Sequence, residues 1–155
     1  MGKWLMLLLA AGSSGAGVGV DAFHLGTWRI QSAKVAPWWQ HSASPDAGEA
    51  RAWIGQTIVF APGAIKGPGL IACRKPVYAL RNVPAEGLFE GMFSEMAARS
   101  QALSAARAAA SAGFAGREWP TLTTGCANEL NFHFSTQRAG AFALDNYIYR
   151  LEKVR

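Results

Sequence analysis

His24, His41 and His133 are the only imidazoles of this 155-residue chain, and their spacing limits what they can do. No two lie three or four residues apart, the separation that sets two ligands on one helical face, and no His-Glu-x-x-His run occurs. No metal site is expected. His133 stands in an alternating stretch in which Glu129, Asn131, His133 and Ser135 share one side and Leu130, Phe132 and Phe134 the other. A general acid or base could work from that polar row, with the Ser135 hydroxyl beside it. The pattern equally describes a strand with one face in water and one on a core, and this is the expectation. No orienting third group, Gly-x-Ser-x-Gly turn, phosphate-cradling loop or dinucleotide fingerprint accompanies it, although the chain has 17 glycines. A hydrolase-type enzyme is therefore the minor alternative; no catalytic residue and no cofactor is assigned.

Cys73 and Cys126 are the only thiols. Arg74 and Lys75 would lower the pKa of a free Cys73, but there is no Cys-x-x-Cys spacing and no adjacent histidine, so a reactive or metal-binding pair is disfavoured. A Cys73–Cys126 disulfide is expected, closing a loop of about fifty residues and stabilising the fold by roughly 4 kcal/mol on the chain-entropy estimate.

The aromatics concentrate near the start. Trp28, Trp38 and Trp39 fall close together, and Trp38-Trp39 follow Pro37 where an apolar alternation gives way to a polar loop. Neighbours on an extended segment point to opposite sides, so both indoles are buried only if the chain bends there; otherwise one meets a ligand or partner. Trp38 and Trp39 are the candidate binding surface, framed by Arg29 and Arg51 if the fold brings them alongside.

The elements that must position these residues begin after a leader. Lys3, the apolar run from Trp4 to Ala11 and the small residues behind it have the order of a secretory signal peptide spanning 1–22, cleaved after Ala16 or Ala22. Neither point precedes a cysteine, so no lipid anchor is expected. Residues 23–155 form one β-barrel-like domain in a periplasmic or secreted protein. The net charge of +5 suits anionic partners, in that compartment lipid head groups and acidic polymers. No five-residue Lys/Arg block occurs, which argues against nucleic acid.

Trp28 and Ile30 alternate with Thr27, Arg29 and Gln31 in a strand from Leu25 to Val35, ended by Pro37. Asp46 can cap a short helix running to Ile54. Further strands are predicted at Thr57–Phe60, Leu70–Cys73, Val77–Val83, Leu130–Ser135, Ala141–Leu144 and Tyr147–Leu151, the last launched by an Asp145-Asn146 turn. Ser94 to Ala112, free of Gly and Pro, predicts one Ala-rich helix stopped by Gly113 with Phe114 as its hydrophobic clasp. The fold class is mainly β (α+β): a small antiparallel β-barrel or curved sheet of seven or eight strands with that helix packed on it.

The Gly26-Thr27-Trp28 start resembles the Gly-x-Trp that opens the first strand of lipocalins and their calycin relatives. The resemblance implies that Trp28 plugs one end of a barrel while a basic residue of the last strand, here Arg150, lies over its ring. The longer string Gly26 to Ile30, with Ala36-Pro37-Trp38, is similar to the opening of small uncharacterised periplasmic proteins of Gram-negative bacteria. These features lead to an exported non-catalytic binding protein, holding a small apolar ligand or a periplasmic protein target. An envelope-associated structural protein drawn to an anionic surface is the alternative.

Overall fold

A computed structural model describes residues 22–100 and 102–154; the expected leader lies outside the described residues save for Ala22. Alternation of large apolar and polar side chains produces nine strands: β1 (Gly26–Val35), β2 (Thr57–Ala61), β3 (Ala64–Lys66), β4 (Cys73–Arg74), β5 (Ala79–Pro84), β6 (Glu118–Thr123), β7 (Asn131–Thr136), β8 (Ala139–Leu144) and β9 (Tyr147–Lys153). Helix α1 (Gly48–Trp53) follows β1, and α2 (Met92–Arg99) and α3 (Ala105–Ser111) lie between β5 and β6.

All strands join one antiparallel sheet in the order β4-β3-β2-β1-β9-β8-β7-β6-β5. First and last strands are thus neighbours, with Trp28 opposite Lys153 and Ile30 opposite Leu151, and a bulge between Ile30 and Ser32. Three strands separate β2 from β7, yet the rings of Phe60 and Phe132 meet at 4.9 Å, so the sheet curls into a half-barrel. Its ends, β4 and β5, do not pair with each other. The Cys73–Cys126 disulfide instead ties β4 to the loop after β6, with a Cα–Cα distance of 6.1 Å, and the Val77 amide extends the β5–β6 pairing beside it by donating to the Thr124 carbonyl at 2.7 Å. Nine strands replace the expected seven or eight. Two strands are unexpected: β3, where the Pro62-Gly63 turn returns the chain, and β6, which runs through Pro120; the predicted Leu70–Cys73 strand becomes a 3-10 turn (Gly69–Ile71) leading into two-residue β4.

The concave side is filled by side chains. Trp28, Ile30, Ile58, Phe60, Phe132, Phe134 and Phe142 are buried there, closed at one end by Trp53 from α1. Asp46 accepts the Gly48 amide at 2.9 Å, satisfying a first-turn donor of α1, although Ala47 holds the cap position.

A second core covers the convex side, and it overturns two expectations. The predicted continuous helix is two: Ser100 is extended, and Ser104 caps α3 by accepting the Arg107 amide at 3.2 Å. Serines compete with the helical backbone in this way, and the break lets α2 turn Phe93 and Met96, and α3 turn Ala105, Ala108 and Ala109, onto the sheet. The predicted stop holds, because Gly113 has φ +88° and the amides of Gly113 and Phe114 bond back to Ala110 and Ala109. The second correction is that His133 does not face water. The segment from Ala85 to Phe114 lies over that face and buries Leu88, Phe89, Phe93, Phe114 and His133 together with Trp119. A two-residue alternation tells which side chains share a face but is silent on whether another segment will cover the polar one. Among the described residues no helix is long and apolar enough to cross a membrane. The disulfide is compatible with an extracellular or periplasmic setting.

Candidate functional site

β1 ends in a bend. The Ala36 amide donates to the Asn146 carbonyl at 2.8 Å, and the Trp39 amide donates back to Ala36 at 3.0 Å, so the two indoles leave in different directions. Trp38 settles on the second core, 5.9 Å from Phe89 and 6.1 Å from Phe93 between ring centres. Trp39 braces the following loop: its ring packs on His41 at 4.4 Å, and its Nε1 donates to the Ala43 carbonyl at 2.8 Å. Both remain half-buried. Each indole thus has a structural task and keeps one exposed edge.

Arg29 and Arg51 do not frame this corner. Arg29 pairs with Thr57 and Glu152 at the opposite end of β1, and Arg51 sits exposed on α1, which packs on the first core.

Beside the corner lies a cleft of about 180 Å³, walled by Lys34, Val35 and Pro37 on one side and by Ser111 and Ala112 on the other, with Ile148 and Arg150 beneath. Its walls carry two cations and no acid. Arg150 is half-buried and donates to the Ala112 carbonyl at the end of α3. It fits there because Gly113 has no side chain; a Cβ would stand 2.5 Å from a guanidinium nitrogen. Arg150 therefore serves the helix end, where a cation meets unpaired carbonyls.

It does not lie over Trp28. Within β9, residues 149, 151 and 153 share the concave side with Trp28, and Arg150 points the other way. The cation above the Trp28 ring is Lys153, with Nζ 5.5 Å from the ring centre, and the Trp28 Nε1 donates to the His24 carbonyl at 2.8 Å. Counting by twos from Leu151 would have found Lys153, whereas the same count along β1 from Trp28 would have put Lys34 on the concave side; the bulge between Ile30 and Ser32 turns it instead to the convex side with Ile148 and Arg150.

The polar row around His133 is dispersed. Glu129 precedes the strand, Asn131 donates to Glu90 at 2.9 Å, and the Ser135 hydroxyl donates to the Ala139 carbonyl. His133 Nε2 accepts the Phe89 amide at 3.0 Å, so in the neutral ring Nδ1 carries the proton and donates to Thr121 Oγ1 at 2.8 Å. Burial lowers its pKa to about 3. With both nitrogens committed, the ring has no lone pair free to take a substrate proton. Phe89 and Glu90 hold left-handed φ values of +49° and +57°, an unfavourable conformation for a bulky residue that the hydrogen bond to His133 helps to fix. His24, also buried, has its pKa lowered by burial and then by Lys153. Among the described residues no His, Cys, Asp and Glu side chains group in a set able to hold a metal ion.

Comparison with protein-family models, with curated proteins and with solved structures finds no match to this chain.

Proposed function

We propose that this is an exported, non-catalytic binding protein of the periplasm that recognises a protein target at the Pro37–Trp39 corner, in the manner of a calycin-like inhibitor. One observation carries the proposal: an apolar cleft with two cations, Lys34 and Arg150, and no acid opens directly beside two half-exposed indoles. Trp and Arg are the side chains on which interface energy concentrates. The cleft suits an apolar side chain with a carboxylate next to it, so the target segment is acidic and apolar. Two features favour a protein over a small apolar ligand. The concave side, where a calycin would hold such a ligand, is filled by Trp28, Phe60, Phe132 and Phe134. The cleft itself, about 180 Å³, is below the roughly 300 Å³ at which small-molecule pockets begin. The pairing of β1 with β9 and the Gly26-Thr27-Trp28 opening support the calycin likeness.

The test immobilises the disulfide-bonded protein and compares what wild type, Lys34→Glu and Trp39→Ala retain from a periplasmic extract, with octanoate as competitor. A discrete protein held by wild type, lost from both variants and indifferent to octanoate is the expected result. Identical capture by all three, or an extractable small molecule in place of a protein, overturns the proposal.

A further inference from the structure

Three carboxylates border one pocket of a protein whose net charge is +5. Asp46 and Glu49 come from the approach to and first turn of α1, and Asp145 from the β8–β9 turn. With Tyr147 and Tyr149 they line a space of about 450 Å³ in which no lining residue is basic. The pocket lies on the α1 side of the sheet and is separate from the Lys34–Arg150 cleft, so it does not rest on the function proposed above.

Tyr149 makes this more than a cluster of surface acids. Its side chain is 2 % exposed, its ring stacked on Phe142 at 4.9 Å and flanked by Trp53 at 5.4 Å. Neighbouring Tyr147 spends its hydroxyl on the Pro45 carbonyl at 3.0 Å, whereas the Tyr149 hydroxyl, at the wall of the pocket, has no hydrogen-bond partner among the described residues. The oxygen is not sealed in, since the one buried side-chain polar atom without a partner among the described residues is Nδ1 of His24; the phenol opens to the pocket with its hydrogen-bonding capacity unspent. It is held rigidly beside carboxylates, and burial, Glu49, Asp145 and Tyr147 together push its pKa up to about 12, so it stays a neutral hydroxyl. The acids are not gathered tightly enough to chelate a metal ion. Spread acceptors around a roomy pocket instead match a cation with several N–H donors, which can reach more than one carboxylate and the phenol at once.

We propose that the pocket between α1 and the β8–β9 turn binds an organic cation bearing a guanidinium or primary ammonium group, with Glu49 and Asp145 as counter-charges and the Tyr149 hydroxyl as an acceptor. The cation is either free or carried on the side chain of a partner, and the two sources are separable.

The test is an amide NMR titration of the full disulfide-bonded protein with n-butylguanidinium, acetyl-Gly-Arg-Gly-amide, the neutral isostere n-butylurea, and calcium chloride. Saturable shifts at Glu49, Asn146 and Tyr147 with a guanidinium probe, none with n-butylurea, and at least tenfold weaker binding in Glu49→Gln, Asp145→Asn and Tyr149→Phe are expected. Glu49 and Asp145 are exposed and Tyr149→Phe keeps the stacked ring, so these variants report on the site in a folded protein. Preference for the peptide identifies a partner-borne side chain; equal or better binding of n-butylguanidinium identifies a free cation. Non-saturating shifts, equal response to n-butylurea, saturation by calcium alone, or unchanged affinity in the variants overturns the proposal. Lys34→Glu, which abolishes the function proposed for the cleft, should leave this affinity unchanged.

Discussion

The amide of Phe89 donates to Nε2 of His133 across 3.0 Å, tying a left-handed turn to strand β7 beneath it. The bond needs a neutral imidazole, because a protonated ring has no lone pair to accept it.

Acid should therefore weaken the fold through His133. In the unfolded chain this residue titrates near 6.5, in the folded one near 3. Its contribution is intact above pH 6.5 and is drained as pH falls through that window, because the unfolded state gains a proton that the folded state refuses. The loss is up to about 1.4 kcal/mol per pH unit, on the order of 5 kcal/mol once the window is passed. His24 is shifted the same way and Glu90, raised by burial, the opposite way. Urea unfolding at pH 7, 5 and 4 should show one proton less of pH dependence in His133→Gln than in wild type; parallel slopes would refute the coupling.

Gly113 and Arg150 should behave as one unit. Gly113→Ala places a side chain at φ +88°, which costs about 1–2 kcal/mol, and drives it into the guanidinium. The collision adds about 1–3 kcal/mol. In an Arg150→Ala background only the backbone cost should remain, so a double-mutant cycle should return a coupling above about 1 kcal/mol. Additive costs would mean that Arg150 leaves Gly113 without effort.

Removing the disulfide should cost about 2–5 kcal/mol. The bridge spans 53 residues and holds the edge strand β4 to the β6–β7 loop, two segments that share no strand pairing. Cys73→Ala and Cys126→Ala should lose stability equally, and mass spectrometry of the unreduced protein should show two hydrogens fewer than the free-thiol mass. Free thiols in the folded protein would contradict the bridge.

Much of this architecture is legible in local patterns. The Trp28–Ile30 alternation, the Asp145-Asn146 turn at φ +51° for Asp145, and the Gly113-Phe114 stop each record a conformation the chain adopts on its own account. What sequence could not supply was contact between distant segments. Ser100 and Ser104 permit a break within Ser94–Ala112, but nothing near them says that the chain uses it to fit a convex sheet, and nothing near His133 says that Phe89 will cover it. The candidate site was legible in part for the same reason. The Pro37–Trp39 corner follows from neighbouring residues, whereas the acidic pocket needs Glu49 and Asp145, 96 residues apart in the sequence, to be brought together by β1 and β9.

The two indoles of the corner should separate cleanly. Trp38 rests on Phe89 and Phe93 in the second core, so Trp38→Phe removes packing and should destabilise by about 1–2 kcal/mol. Trp39 contributes one exposed hydrogen bond to Ala43 and a face against His41, so Trp39→Phe should cost about 0.5–1 kcal/mol. If the corner recognises a target, the order reverses for binding: Trp39→Phe weakens capture while the fold persists, and Trp38→Phe weakens it no more than its stability loss accounts for. Thermal unfolding and extract capture, measured on the same two preparations, decide the matter. Loss of stability in both variants with unchanged capture would make the corner a structural plug and remove it as a binding surface.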